Sequence, residues 1–191
     1  MKEKGKDMEP KESLTFPSGK YRVVYADPPW KYRNSGFKGS SEKKYKTMTT
    51  QEICCLPVGD IVEEMAVLFL WATNPFVRDA LTVCEAWGFH YKTNFVWVKD
   101  HHYAGFYNYG QHELLLIATK GSMLLIAGSL RSSVVSSPRR EHSRKPDVFY
   151  SIIESMYDGP YMELFARSKR EGWSGWGNEY GMFTAQDQEG R

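Results

Sequence analysis

A double proline directly after an apolar segment is the feature that most restricts how this chain can fold. The segment Tyr21–Ala26 has the character of a buried strand, and Asp27-Pro28-Pro29-Trp30 follows it. Two consecutive prolines remove two backbone donors and fix φ near −65°, so the strand ladder ends there. Because ligands of α/β proteins bind at the carboxyl ends of strands, we expect this stiff turn to present Asp27 as a functional carboxylate.

The bulk composition limits the class of protein. With 191 residues, of which 41% are hydrophobic and 15% aromatic, the chain is long enough for one domain with a substantial core. The net charge is only +2, so contact with nucleic acid would depend on local basic clusters. The three cysteines, Cys54, Cys55 and Cys84, lack zinc-ligand spacing, and we expect a reduced intracellular protein without a metal.

The two ends of the chain differ in character from its centre. We predict a disordered charged tail over residues 1–19, one domain over residues 20–183 and a flexible tail over residues 184–191. The N-terminal residues alternate Lys with Glu and Asp and have no apolar core, so they do not form a signal peptide. No apolar run reaches the roughly 18 residues that span a bilayer. We therefore expect a cytoplasmic protein without a membrane partner.

Hydrophobic patterning predicts alternating strands and helices within the domain. The predicted strands cover Tyr21–Ala26, Met65–Trp71, Tyr91–Val98, Glu113–Thr119 and Tyr161–Ala166. The first predicted helix is capped by Thr49 or Thr50 and runs toward Glu64 with an interruption at Pro57. The other predicted helices run from Asn74 to Trp87 and from Pro146 to Met156. This order indicates an α/β fold with a mostly parallel sheet. The third and fourth strands, joined by residues 99–111, have no helix between them, which predicts an antiparallel hairpin at one edge.

The turn after the first strand has the groups needed to act on a flat nitrogenous base. Asp27 and a carbonyl of Pro28-Pro29 can accept hydrogen bonds from an exocyclic amine, and Trp30 can stack on the ring. Such an amine is a poor nucleophile because its lone pair is delocalised, and two acceptors favour a pyramidal nitrogen. Rigid acceptors need no reorganisation in the transition state. The alternative is a strand-ending turn with a buried tryptophan and no chemical role.

The motif Asp27-Pro28-Pro29-Trp30 resembles the signature of the MT-A family of adenine-N6 methyltransferases. That family is related to the catalytic subunit of the eukaryotic messenger-RNA adenosine methyltransferase and also has bacterial and phage members. Further motifs in the family's order are Tyr45-Lys46-Thr47-Met48, Leu68-Phe69-Leu70-Trp71, Trp97-Val98-Lys99, Gly110-Gln111-His112-Glu113, Lys120-Gly121, His142-Ser143-Arg144-Lys145-Pro146, Glu163-Leu164-Phe165-Ala166-Arg167 and Gly177-Asn178. The resemblance covers nearly the whole predicted domain.

The resemblance implies a Rossmann-like methyltransferase fold with S-adenosylmethionine as cofactor. The fold would be circularly permuted, because the catalytic turn comes early and the cofactor strand late. Lys145, at a helix start, would meet the methionine carboxylate, and Arg167 would meet the ribose. Asn178 would hydrogen-bond the ribose hydroxyls, and Glu179 stands where family members often have Gln. Asp27 is expected to contact the cofactor as well as the target amine.

Four further residues are candidates, with Trp30, for binding the target base and its backbone. Tyr45 is a candidate for contacting a flipped base, and His102 lies in an aromatic segment that is a candidate for target contact. Lys46 and Arg140 belong to basic clusters suited to phosphates. An exocyclic amine inside a duplex is out of reach, so the adenine must be flipped out or already single-stranded.

The leading interpretation is an adenine-N6 methyltransferase of a bacterial or phage-infected cell, with DNA favoured over RNA as substrate. Cytosine-N4 methylation is disfavoured because that group typically has Ser at the position of Asp27. A further alternative is a catalytically inactive, nucleic-acid-binding partner subunit, in which the acid would be replaced. A homodimer or a heteromeric partner is expected to help such a small domain hold its target.

Overall fold

The structure of the protein is a computed structural model that describes residues 15–32, 46–105, 107–140 and 144–181. The strands are β1 Tyr21–Ala26, β2 Val62–Ala72, β3 His90–Ala104, β4 Tyr109–Lys120, β5 Val134–Ser136, β6 Tyr161–Leu164 and β7 Trp173–Trp176. The helices are α1 Thr50–Cys54, α2 Val58–Ile61, α3 Val77–Ala86 and α4 Val148–Met156, with a 3-10 turn at Asn74–Phe76 before α3. None of the helices in these ranges has both the length and the apolar character to cross a membrane.

The strands form one sheet in the order β5-β3-β4-β2-β1-β6-β7. β4 runs antiparallel to β2 and β3, and every other neighbouring pair in the described ranges is parallel. The predicted α/β fold with a mostly parallel sheet and an antiparallel hairpin is therefore confirmed, with the short β5 lying outside the hairpin. β6 comes late in the chain yet pairs with β1, as expected for a permuted order of strands.

The two faces of the sheet are covered by different helices. On β1 and β2, side chains point alternately to opposite faces. Val24 and Leu68 belong to the first core, which α1, α2 and α3 cover. Val23 and Phe69 belong to the second core, on the opposite face, which α4 covers through Phe149. Because the central strands are buried on both faces, their sequences are continuous apolar runs.

The first predicted helix is shorter than expected. It divides into α1 and α2 on either side of Pro57, and β2 already begins at Val62, so the prediction of helix toward Glu64 is wrong. Pro57 lacks the N–H that a continuous helix would use. Thr49 caps α1 as predicted, since its side chain accepts from the Glu52 N–H while the Glu52 carboxylate accepts from the Thr49 N–H.

The hairpin is longer than its apolar pattern indicates. Tyr103 pairs with Gly110 and Ala104 pairs with Tyr109, so most of residues 99–111 continues the two strands. The polar side chains in this part hide the strand signal, because a hairpin beyond the covered sheet needs no apolar face. The short strands β5 and β7 were also not predicted, since three or four residues among Ser and Gly are too few to show a strand pattern. They pair here because a neighbouring strand is available.

Phe16 belongs to the predicted N-terminal tail, residues 1–19, and has contacts with the domain. It packs edge-to-face on Trp176 with ring centroids 5.0 Å apart and lies against the first core. The boundary at residue 19 stays a prediction. Residues 1–14 and the predicted tail 184–191 lie outside the described ranges.

Phe149 provides a test of how α4 holds the second core. Its fully buried ring lies 4.8 Å from Trp71 and 6.3 Å from Phe95 between centroids. We expect Phe149→Ala to lower the free energy of unfolding by about 3–5 kcal/mol, because it removes buried area and leaves a cavity. Chemical denaturation measures the change. Leu124→Ala, at a side chain that is 81% exposed, is the control, and equal effects would contradict this account of the core.

Candidate active site

Backbone hydrogen bonds fix the turn after β1. The Trp30 N–H donates to the Pro28 carbonyl at 2.9 Å, which closes a tight turn. The Met48 N–H donates to the Pro29 carbonyl at 2.8 Å, and the Lys31 N–H donates to the Met48 carbonyl at 2.9 Å. The segments on either side of residues 33–45 therefore pair with each other at the turn. Each prolyl carbonyl keeps a second lone pair for a further donor.

Trp30 anchors this turn in the core. Its side chain is 6% exposed, and its indole Nε1–H donates to the Trp71 carbonyl at 3.1 Å. The ring stacks on Phe76 with centroids 5.3 Å apart and an interplanar angle of 17°. The expectation that Trp30 offers an open face to a target base is therefore not met in this structure, because Phe76 and the first core occupy its surroundings.

Lys145 lies directly on the Asp27 carboxylate. Its Nζ is 2.8 Å from Oδ1 and 2.7 Å from Oδ2 of Asp27, and it also lies 5.4 Å from the centroid of the Trp71 ring. The Asp27 side chain is 28% exposed, whereas that of Lys145 is 11% exposed. Pro146 follows Lys145 and precedes α4, which begins at Val148 instead of at the proline. The first and last parts of the chain thus meet at one ion pair.

Two further charged side chains, Glu113 and Lys99, lie next to Lys145 and are largely buried. Lys99 Nζ lies 2.6 Å from Glu113 Oε1, and Lys145 Nζ lies 3.4 Å from Glu113 Oε2. Burial raises the pKa of Glu113, but the ammonium groups of Lys145 and Lys99 outweigh it and hold the pKa below its usual value. Burial lowers the pKa of Lys145, but Asp27 and Glu113 outweigh it and raise the pKa. Glu113 and Lys145 therefore each stabilise the charged form of the other.

Glu113 and Lys99 were not predicted as site residues. The available signal was a charged residue at the end of an apolar strand run, in Trp97-Val98-Lys99 and in Glu113-Leu114-Leu115. Their meeting depends on the register of the hairpin, in which Trp97 pairs with Glu113. Sequence alone does not give that register.

The carboxyl ends of β6 and β7 bring the predicted ribose-binding residues together. The Ala166 N–H donates to the Trp176 carbonyl at 2.9 Å, so the chains leaving the two strands stay adjacent. Arg167 Nε lies 3.5 Å from Glu179 Oε2, and Asn178 is exposed beside them. The Arg167 guanidinium also opposes the raised pKa of Lys145, which places it within electrostatic range of the first ion pair.

Backbone constraints accompany this part of the site. Phe165 has φ of 64°, a left-handed conformation that is costly for a bulky residue and is often found at functional sites. A Cβ at Gly177 would lie 2.5 Å from the Ala166 carbonyl oxygen, so only glycine allows the two strand ends to approach this closely. The backbone conformation at Phe165 and the absence of a side chain at Gly177 therefore help to position Arg167 and Asn178.

A cleft of about 500 Å³ opens beside these residues. It lies between α4 with its preceding residues and the segment after β6, and Tyr150 and Ser168 are among its lining residues. A second depression, of about 400 Å³, lies at the opposite edge of the sheet and is lined by Arg22, Met65 and residues 122–126. None of the predicted site residues that the structure describes lines either depression. Arg144 and Ser168, which line the cleft, adjoin Lys145 and Arg167 in the chain, so the cleft is the depression next to the carboxyl ends of the parallel strands.

A second carboxyl, that of the half-buried Glu163, lies on β6 beneath the site. The Tyr150 hydroxyl donates to its Oε1 at 2.9 Å. Burial raises the pKa of Glu163 to about 7, and the nearby negative charge of Asp27 acts in the same direction. Glu163 is therefore only partly ionised near neutral pH, unlike Glu113, because burial outweighs the Tyr150 hydrogen bond and the Arg170 and Arg144 guanidinium groups, which lower its pKa.

The residues predicted to bind the target do not form one cluster. His102 is exposed on the hairpin, where its ring packs on Tyr109 with centroids 4.8 Å apart. Arg140 forms an ion pair with Asp147, which also accepts from Arg144 at 3.1 Å. Lys46 is exposed near the turn, and Tyr45 lies outside the described ranges. Much of the basic cluster before α4 is thus paired with carboxylates of the fold.

Comparison with known proteins gives a consistent picture over this whole region. A family model described as MT-A70 matches residues 21–179. A Mycoplasma protein described as type II methyltransferase M.MunI is 35% identical over 185 residues, which cover 86% of this chain and 79% of that protein. The human N(6)-adenosine-methyltransferase catalytic subunit METTL3 is 29% identical over 159 residues, which cover 78% of this chain and 26% of METTL3.

An N(6)-adenosine-methyltransferase MT-A70-like protein of Drosophila melanogaster is similar to the same extent. It is 30% identical over 159 residues, which cover 78% of this chain and 25% of that protein. The chain therefore spans most of the Mycoplasma relative and about a quarter of the two animal proteins.

Glu163 makes stability depend on pH in a testable way. Its pKa of about 7 in the folded protein exceeds the ordinary value of 4.5, so its stabilising contribution is present below pH 4.5 and is lost as the pH rises through 7. We expect Glu163→Gln to remove this loss. Between pH 4.5 and pH 8 the free energy of unfolding of the variant should therefore rise relative to that of the wild type by up to about 3 kcal/mol. Urea denaturation across this range measures the difference. The prediction would be contradicted if the free energies of unfolding of Glu163→Gln and the wild type changed with pH in parallel. Glu63→Gln is the control.

Proposed function

This chain belongs to the MT-A70 family of adenine-N6 methyltransferases, and we propose that it uses S-adenosylmethionine to methylate adenine in DNA. The observation that carries the proposal is the Asp27 carboxylate, held by Lys145 at 2.7–2.8 Å on a turn that backbone hydrogen bonds fix on both sides. A fixed acceptor at a strand end is what the activation of an exocyclic amine requires.

Asp27 and a prolyl carbonyl act on the target amine in this proposal. Asp27 accepts one N6 hydrogen, and the remaining lone pair of the Pro28 or Pro29 carbonyl accepts the other. Both acceptors are fixed before the target arrives, so no reorganisation opposes pyramidalisation of the nitrogen. The cofactor supplies the electrophilic methyl group. The amine is more acidic after transfer and gives up its proton without a strong base, so Asp27 serves as an acceptor for hydrogen bonds.

Four residues have donor and acceptor groups that fit S-adenosylmethionine. Lys145 offers an ammonium group for the methionine carboxylate, close to the positive end of α4. Arg167, Asn178 and Glu179 offer a guanidinium, an amide and a carboxylate suited to ribose hydroxyls. The neighbouring cleft of about 500 Å³ is of a size for a nucleoside-containing ligand. Asp27 lies between the two halves of the site, which supports contacts with both cofactor and target.

We favour DNA over RNA as the substrate. The Mycoplasma relative is described as a type II methyltransferase and aligns over 79% of its length. The N(6)-adenosine-methyltransferase relatives, which support RNA, align over about a quarter of theirs. The target adenine would enter flipped or single-stranded, with His102, Lys46, Tyr45 and Arg140 as candidate contacts. We further propose a cytoplasmic role, with a homodimer or a partner subunit helping to hold the target.

Replacement of Asp27 tests the acceptor role. We expect Asp27→Ala to lower methyl transfer by about 10²–10³-fold, since it removes a fixed acceptor for the reacting amine. Incubation with labelled S-adenosylmethionine and DNA or RNA oligonucleotides, followed by nucleoside mass spectrometry, measures the product. Glu64→Ala, at an exposed residue at the opposite end of β2, is the control. Retained turnover in Asp27→Ala would overturn the role, and N4-methylcytosine as product would overturn the choice of base.

Replacement of Lys145 tests the cofactor half of the site. We expect Lys145→Ala to weaken S-adenosylmethionine binding by about 1.5–3 kcal/mol, the value of a hydrogen bond to a charged group. Isothermal titration calorimetry measures the affinity, with circular dichroism to verify the fold. Lys92→Ala, an exposed lysine on β3, is the matched control. An unchanged affinity would remove Lys145 from the cofactor site.

A further inference from the structure

We propose that Glu113 and Lys99 are positioning residues that hold the Lys145 ammonium group against Asp27, an assignment that rests on the proposed function. Glu113 lies on β4 and Lys99 on β3, whereas Asp27 follows β1 and Lys145 precedes α4. Four separate elements therefore meet in one chain of charges. Neither Glu113 nor Lys99 needs to touch the target or the cofactor to act in this way.

The charges alternate in sign along this chain. Asp27 is followed by Lys145 at 2.7 Å, by Glu113 at 3.4 Å from Lys145, and by Lys99 at 2.6 Å from Glu113. The side chains of Lys145, Glu113 and Lys99 are between 9% and 11% exposed. Two anions and two cations balance, so no net charge is buried. The removal of one charge leaves another uncompensated in a poorly solvated environment.

The two oxygens of Glu113 have different surroundings. Lys99 occupies Oε1 at 2.6 Å, which fixes the orientation of the carboxylate. Oε2 is buried and lacks a hydrogen-bond partner of good geometry among the described residues, and it lies on the side of Lys145. Lys99 itself lies over the rings of Trp97 and Tyr103 at 5.0 Å and 5.5 Å. The order of dependence therefore runs from Lys99 to Glu113 to Lys145.

This order of dependence explains why a residue buried behind Lys145 should affect catalysis. With Glu113 in place, Lys145 is attracted from two sides and its ammonium group stays where it orients both Asp27 oxygens. With a neutral amide at position 113, Lys145 is still attracted by Asp27, but Lys99 loses its carboxylate partner and repels Lys145. Lys145 and the Asp27 carboxylate would then shift together, and a small shift of a reacting group is costly in rate.

The test compares Glu113→Gln, Glu113→Asp, Lys99→Met and the double variant Glu113→Gln/Lys99→Met. We expect Glu113→Gln to lower kcat by about tenfold to a hundredfold while KM for the oligonucleotide changes little. Glu113→Asp keeps the charge and should recover part of the loss. The double variant should be no slower than Glu113→Gln alone, because Lys99 acts through Glu113. Glu63→Gln, which removes a 3.2 Å ion pair with Arg22 at the opposite edge, is the control.

A second readout keeps the proposal testable without turnover. In protein labelled with ¹³C-lysine, the Lys145 Cε resonance, assigned with Lys145→Arg, should shift in Glu113→Gln and in Lys99→Met but not in Glu63→Gln. An unshifted resonance together with an unchanged kcat would overturn the proposal, as would independent, additive losses in the double variant. If the wild type methylates no oligonucleotide, the proposed function fails, whereas the resonance still decides whether Glu113 positions Lys145.

Discussion

The ion pair between Asp27 and Lys145 is the interaction on which the rest of the site depends. Its partners are 118 residues apart in sequence, and they meet because β1 ends where the segment before α4 crosses the sheet edge. Charges that are largely shielded from water require close partners, and breaking such a pair costs about 3–5 kcal/mol. The pair therefore links folding to function, because a chain that fails to bring α4 onto the sheet also fails to orient Asp27.

The surrounding architecture supports this pair from two directions. From below, the Trp71 ring lies under the Lys145 ammonium group and the Trp71 backbone carbonyl accepts from the Trp30 indole, so one residue of β2 holds both the cation and the turn. From the side, β6 pairs with β1 and β7 pairs with β6. The residues that follow these two strands, Arg167 and Glu179, therefore lie at the same end of the sheet as Asp27. The usual rule for ligand sites in parallel sheets is satisfied through these specific contacts.

The parts of this structure that follow local rules were predictable from the sequence. Asp27-Pro28-Pro29 had to end a strand, and the continuous apolar run of β2 had to be buried on both faces. What sequence reasoning missed depends on long-range register. Glu113 and Lys99 meet only because the hairpin pairs Trp97 with Glu113, and Trp30 is enclosed only because Phe76 stacks on it from another element. Arg140 and Arg144 also form ion pairs with Asp147, whereas the sequence alone indicates two arginines available to phosphates.

The hydrogen bonds between Met48 and the residues flanking Trp30 have a consequence for the length of the chain that they enclose. They hold the two ends of the stretch between Tyr32 and Lys46 together beside the turn after β1. The entropy of closing such a stretch rises only slowly with its length, by about 0.6 kcal/mol for each doubling. A change in the length of this stretch therefore costs little free energy of loop closure and leaves in place the hydrogen bonds that hold the turn after β1.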